Sequence, residues 1–153
     1  MWLDHAGSEI LERPECLRLL ALGAKHQLVG RVGFVVPHPD GSTHAPIILP
    51  VNFAQVEGEL VVRSGEGLKS SATDGALVAF EVDSADHVEQ VAWSVLVRGL
   101  GTVWHPDRMA PEDLGRLPHP LVPRAGDRLL HIRADLVTGR RFALHGAATE
   151  PEH

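Results

Sequence analysis

The hydrophobic pattern of the chain changes period near Gly23. Before it, from Arg13 to Leu22, apolar residues recur at helical spacing, and Leu17, Leu20 and Ala21 share one face with Cys16. Pro14 suits a first turn and Gly23 a C-terminal stop, so the segment predicts a helix. Beyond Gly23 the pattern is that of strands. Leu28 to Val36 is β-branched and partly alternating. The turn His38-Pro39-Asp40-Gly41-Ser42 separates it from a second strand over Ala45 to Phe53, whose prolines imply an edge or a bulge. Glu57-Gly58 closes a hairpin into Glu59 to Arg63, and a short helix is expected from Leu68 to Thr73. Ala76 to Asp83 and the long run Val91 to Trp104, bent at its glycines, are the next strands. Pro106 to Leu117 reads as a short helix stopped by Pro118, and Pro118 to Pro123 as irregular loop. Leu129 to Leu144 returns to strand, broken near Asp135 and Gly139.

Short strands at close spacing, with glycine bends and few intervening helices, predict a mainly β fold with short helices (α+β). The expected sheet is antiparallel, of about six strands, closing toward a barrel. A parallel doubly wound sheet needs a helix after nearly every strand, which this chain lacks. With 153 residues and no internal repeat or linker, the chain reads as one domain over residues 1–145, followed by a flexible tail over 146–153.

Composition narrows the function. The chain is 44% hydrophobic and 22% charged, an ordinary globular balance, and its net charge of −6 argues against a nucleic-acid surface. The single cysteine, Cys16, allows no intrachain disulfide, and its place on an apolar helix face predicts a buried, inert thiol. The start of the chain lacks the basic and apolar regions of a signal peptide, and no apolar run is long enough to span a bilayer. The expected compartment is the cytoplasm, with no membrane partner.

The densest chemistry lies in Val62 to Ser71. A strand end turns through Gly65 and Gly67 and delivers Arg63, Lys69, Ser64, Ser70 and Ser71. Glycines let backbone N–H groups approach a phosphate, and Arg and Lys neutralise it. A solvated strand-to-helix turn has the same composition, so local chemistry leaves both readings open. A Walker A loop is excluded because Leu68, not glycine, precedes Lys69; Gly99-Leu100-Gly101 is no dinucleotide fingerprint because a strand continues through it. Asn52, inside the apolar Pro50-Val51-Asn52-Phe53, either bonds its own turn or offers its amide to the edge of a heterocycle. Trp93-Ser94 opens the long strand, with the indole able to stack on a ring or to pack in a core or interface. Asp83, Asp86 and His87 read as a polar turn rather than a metal cluster. The ten histidines are scattered, so no metal site is expected. No serine sits in a Gly-x-Ser-x-Gly elbow.

Seven blocks occur in order: Glu15-Cys16-Leu17-Arg18-Leu19-Leu20, Gly30-Arg31-Val32-Gly33, Pro50-Val51-Asn52-Phe53, Arg63-Ser64-Gly65-Glu66-Gly67-Leu68-Lys69, Phe80-Glu81-Val82-Asp83, Trp93-Ser94-Val95-Leu96-Val97-Arg98-Gly99 and Thr138-Gly139-Arg140-Arg141. The set resembles the pyridoxamine 5'-phosphate oxidase-like family, the FMN-binding split barrels, in its short actinobacterial branch. The resemblance implies a split β-barrel homodimer with a flavin at each end of the subunit interface. It also implies an FMN-dependent oxidoreductase acting on a small molecule. By similarity, Arg63, Ser64 and Lys69 would meet the flavin phosphate, with Gly65, Gly67 and Ser70 helping. Pro50, Val51 and Asn52 would lie along the ring, and Trp93 and Ser94 would approach the same pocket, from the partner subunit in one arrangement. Phe53 and Leu68 stand where relatives carry hydroxyl side chains. Two other readings keep the fold. One is an F420-binding reductase that uses Arg31, Arg98 and Arg140-Arg141 for the acidic tail. The other is a split barrel that holds flavin or haem without turnover.

Overall fold

The computed structural model describes residues 1–64, 70–115, 117 and 128–144. A short N-terminal hairpin, β1 (Trp2–Leu3) and β2 (Glu9–Leu11), precedes helix α1 (Arg13–Lys25). Strands β3 (Gly30–Pro37), β4 (His44–Val51), β5 (Phe53–Val56) and β6 (Glu59–Ser64) follow, then the one-turn helix α2 (Ser70–Thr73). Strands β7 (Leu77–Asp86) and β8 (Val91–Trp104) come next. A 3-10 turn (Pro106–Arg108) and α3 (Pro111–Gly115) lead to β9 (Arg128–Ile132) and β10 (Leu136–Ala143). Every pairing is antiparallel.

The strands form one curled sheet in the order β1-β2-β10-β8-β7-β3-β4, with a second wing in which β5 pairs β6, β6 pairs β9 and β9 pairs β8. The mainly β, antiparallel architecture expected from the pattern is therefore present. Among the described residues the ten strands exceed the expected six because the N-terminal hairpin joins the sheet and two apolar runs each divide. The first run divides at Asn52, and the last at residues 133–135. Gly139, expected as a second break, sits inside β10 opposite Val95.

Strand β8 makes the curl. Val91 to Arg98 pair with β10, while Gly101 to Trp104 pair with β9. The switch falls at Gly99 and Gly101, where neighbouring backbone presses on the strand. Arg133 N–H donates to Leu100 O at 3.0 Å and Gly101 N–H to Ala76 O at 2.8 Å. A Cβ on Gly99 would collide with the Arg133 carbonyl, and one on Gly101 would lie 2.6 Å from Thr73 O.

Helix α1 caps the concave face. Its buried residues are Cys16, Leu19, Leu20 and Gly23, at the i, i+3, i+4, i+7 positions of one stripe. Ala21, expected on that face, is exposed, and Leu17 is only partly covered. The stripe packs on Val32, Phe80, Val82, Val95, Val97, Leu60, Val62 and Leu130, all fully buried, with Phe53 edge-on to Phe80 at 4.9 Å. A salt link ties the helix to β10. Glu15 bridges Arg18 (2.7 Å) and Arg141 (2.6 Å), and these guanidiniums, Arg18 first, hold its carboxyl pKa down to about 2. A smaller cluster of Ala54, Val61, Leu117 and Leu129 lies on the other face of the β5-β6-β9 wing.

Because Gly99 meets backbone and not a movable side chain, Gly99→Ala is expected to destabilise the fold by about 3 kcal/mol or more. Urea denaturation monitored by circular dichroism measures it; a loss below about 1 kcal/mol would show that the crossing tolerates a Cβ.

Candidate functional site at the β4–β5 corner and the β5–β6 hairpin

Asn52 is the single residue at which the chain leaves one wing for the other. Val51 still pairs with Gly30 on β3, and Phe53 already pairs with Val62 on β6. Val51 and Phe53 face the core, so the intervening Asn52 is exposed, as alternation requires. Its carbonyl accepts the Arg63 N–H at 3.4 Å, which extends the hairpin ladder by one rung and sets Asn52 beside Arg63. Arg63 is half-buried and lies opposite Leu129, which in turn lies opposite Trp104. Residues directly opposite in antiparallel strands share a face. Asn52, Arg63, Leu129 and Trp104 therefore form one row on the outer face of the wing.

Ser64 ends β6 opposite Arg128, and Ser70 begins α2. Gly65, Gly67, Leu68 and Lys69 lie outside the described residues. Of the sequence-predicted set, the fold thus brings together Asn52 and Arg63, with Pro50 and Val51 adjoining on the end of β4.

Trp93 and Ser94 are neighbours on β8 and project to opposite faces. The Trp93 indole turns inward toward α1: a Cβ placed on Gly23 would lie 3.7 Å from Trp93 Cη2 and 3.3 Å from Phe53 Cζ. Ser94 turns outward, opposite Asp83 on one side and Arg140 on the other. Within one chain, Ser94 and Pro50 share the outer face of the main sheet but are separated by β3 and β7.

An ionic cluster occupies the interval between them. Arg31, opposite Pro50, directs Nη1 at Glu81 Oε2 (2.9 Å) and at Asp83 Oδ2 (3.5 Å). Burial first, and then Asp83 beside it, push the Glu81 carboxyl pKa up to about 7 against the pull of Arg31. Glu81 escaped the sequence reading because its significance comes from a cross-strand neighbour. Asp86 caps a turn, accepting from Val88 and Glu89 N–H at 2.9 and 3.0 Å. The cations considered for an acidic cofactor tail are largely engaged: Arg31 as above, Arg140 with Asp4 (3.2 Å), and Arg141 with Glu9 and Glu15.

A second missed feature is a stack of Trp104 on His131, with ring centroids 4.6 Å apart and planes 7° from parallel, and His131 Nε2 is 2.5 Å from Glu59 Oε2. Among the described residues no group of acidic, histidine and cysteine side chains is arranged to hold a metal, and no helix is long and apolar enough to cross a membrane.

Comparison with known proteins places this geometry. A family model described as pyridoxamine 5'-phosphate oxidase matches residues 12–141. The chain belongs to the pyridoxamine 5'-phosphate oxidase family. An uncharacterized protein of Mycobacterium tuberculosis is 37% identical over 139 residues, 86% of this chain and 84% of that protein. Among solved structures, an FAD binding protein from Mycobacterium smegmatis matches with a TM-score of 0.66 and 29% identity, covering 88% of this chain and 98% of its own. A candidate pyridoxamine 5'-phosphate oxidase from Corynebacterium glutamicum matches with a TM-score of 0.66 and 30% identity, over 90% and 99% of the two chains. The curled sheet is accordingly the family's split barrel, and the Asn52–Arg63 rung sits in a fold whose members include a flavin-binding protein.

The folded protein holds the Glu81 proton to higher pH than an unfolded chain does. This group therefore lowers stability as pH rises from the ordinary glutamate value of 4.5 to about 7. Glu81→Gln is expected to flatten that decline: equal melting temperatures near about pH 5, and a variant at or above wild type near about pH 8. A variant that melts lower at the higher pH would show that the Arg31 ion pair outweighs the burial of the carboxylate.

Proposed function

We propose that this chain binds a flavin whose phosphate meets Arg63 and whose ring lies along Pro50, Val51 and Asn52. The observation that carries the reading is the Asn52–Arg63 rung: an exposed amide and a guanidinium, side by side on a corner held by buried Val51, Phe53 and Val62. The donor set fits the group. A guanidinium matches a phosphate dianion, and an amide that both donates and accepts matches the edge of an isoalloxazine. Arg63 also leads into the stretch where Gly65, Gly67 and Lys69 supply phosphate chemistry in sequence. Family membership and the FAD-binding relative support a flavin over other ligands.

A bound flavin supplies hydride or electron transfer for a small-molecule substrate, which makes the protein an oxidoreductase. The chain's own part is to bind and orient it: Arg63 anchors the phosphate end, Asn52 fixes the ring edge, and the packed corner keeps both in register. FMN is the expected form. The F420 reading is less well served, because Arg31, Arg140 and Arg141 are already ion-paired. A cytoplasmic location is part of the same proposal.

The functional unit in this proposal is a homodimer. The outer face of the main sheet exposes Ile48 (70%), Leu77 (79%), Val35, Leu96 and Leu136, an apolar surface suited to a second copy. Ser94 lies on that face, so a partner is what would bring a Ser94 toward a flavin held at the other chain's Asn52.

Titration with FMN and FAD, read by flavin fluorescence, tests the site. Binding by wild type, and a loss of about tenfold to a hundredfold in affinity in Arg63→Ala, is expected. No binding of either flavin, or an unchanged affinity in the variant, would overturn it. Sedimentation equilibrium tests the assembly: a dimer for wild type and a shift to monomer for Ile48→Asp is expected, and a wild-type monomer at about 100 μM contradicts it.

A further inference from the structure

Away from the Asn52 corner, a groove of about 460 Å³ opens between the β5–β6 turn, the end of β8 and α3, lined by Val56, Glu57, Trp104, Arg108, Met109 and Asp113 among others. Its size falls in the range of small-molecule sites, and its walls combine apolar surface with a few charged groups. One wall is Trp104. His131 lies parallel against the indole at 4.6 Å, and Glu59 holds the imidazole at 2.5 Å, so the platform is fixed before any ligand arrives. The described residues offer Arg108 no ion pair, and Glu57 sits exposed in the turn. Register places the groove two strands from Arg63. Arg63, Leu129 and Trp104 are successive rungs on one face, which puts Trp104 about 10 Å from Arg63 across two strand spacings.

We infer that this groove binds an adenylate group. The base stacks on Trp104 against the Met109 thioether, the phosphate meets Arg108, and a ribose hydroxyl donates to Glu57. An aromatic platform, a guanidinium and a carboxylate within one small groove are the three complements of a nucleoside monophosphate. Two sources carry that group: the adenylate half of FAD, which rests on the flavin reading above, and a free nucleotide, which does not.

Isothermal titration of the full chain with AMP, FMN and FAD tests the inference. AMP is expected to bind, with an affinity that falls about tenfold or more in Arg108→Ala and in Trp104→Leu, while FMN affinity stays unchanged in Arg108→Ala. Trp104 is part of a packed stack, so Arg108→Ala keeps the test open should Trp104→Leu fail to fold. Displacement of AMP by FAD but not by FMN would identify FAD as the source; AMP binding retained under saturating FAD would identify a free nucleotide. AMP that fails to bind at about 5 mM, or binds Arg108→Ala as well as wild type, overturns the proposal. AMP binding in a protein that takes neither flavin would remove the flavin reading and leave this one standing.

Discussion

The rest of the structure depends on the passage of one strand, β8, through two wings of the sheet. Between Arg98 and Gly101 it exchanges β10 for β9 as a partner, and it does so in a space that backbone atoms of residues 133 and 73 nearly fill. A side chain at Gly99 or Gly101 would push the wings apart. With glycine there, the β5–β6 hairpin joins the main sheet through β9, and the concave face closes over one core that α1 caps. The Asn52 corner exists because of that closure: the chain must step from β4 in one wing to β5 in the other, and a single residue makes the step.

The charges divide by their distance from the corner. Between α1 and β10, Glu15 between Arg18 and Arg141 is a clamp, its carboxyl held low by two cations. On the outer sheet face, Arg31 faces two carboxylates, and burial, with Asp83 beside it, outweighs the pull of Arg31, so Glu81 retains its proton toward neutrality. The Glu15 clamp contributes to holding the helix on the sheet. The Arg31 cluster lies on the face proposed for a partner copy, where an unpaired carboxylate would cost more than it does in water.

Much of this was legible locally. The strand Val91–Trp104 could be read to the residue, because its alternation is long and its glycines mark the bend. The hairpin followed from a two-residue turn, Glu57-Gly58, flanked by apolar runs, and its register in the structure sets Asn52 beside Arg63. What failed to show locally was long-range. Strands of two and three residues at the N-terminus carry no period of their own; β10 accepts the second, which in turn pairs the first. The corner at Asn52 sits inside an apolar run that reads as one strand, and only the change of partner from β3 to β6 divides it. Trp93 and Ser94, both assigned to the cofactor pocket, face opposite sides of β8, as adjacent strand residues must; one chain alone cannot offer both to one ligand face. The Trp104–His131–Glu59 stack joins three strands and leaves no signature in any of them.

If the corner and its hairpin hold a flavin by its phosphate, a crystal structure of the protein grown with FMN will show the contact itself. The phosphate is expected in hydrogen-bond contact with the Arg63 guanidinium, and the ring edge against Asn52. A flavin bound elsewhere, with Arg63 and Asn52 left in solvent, would contradict that assignment.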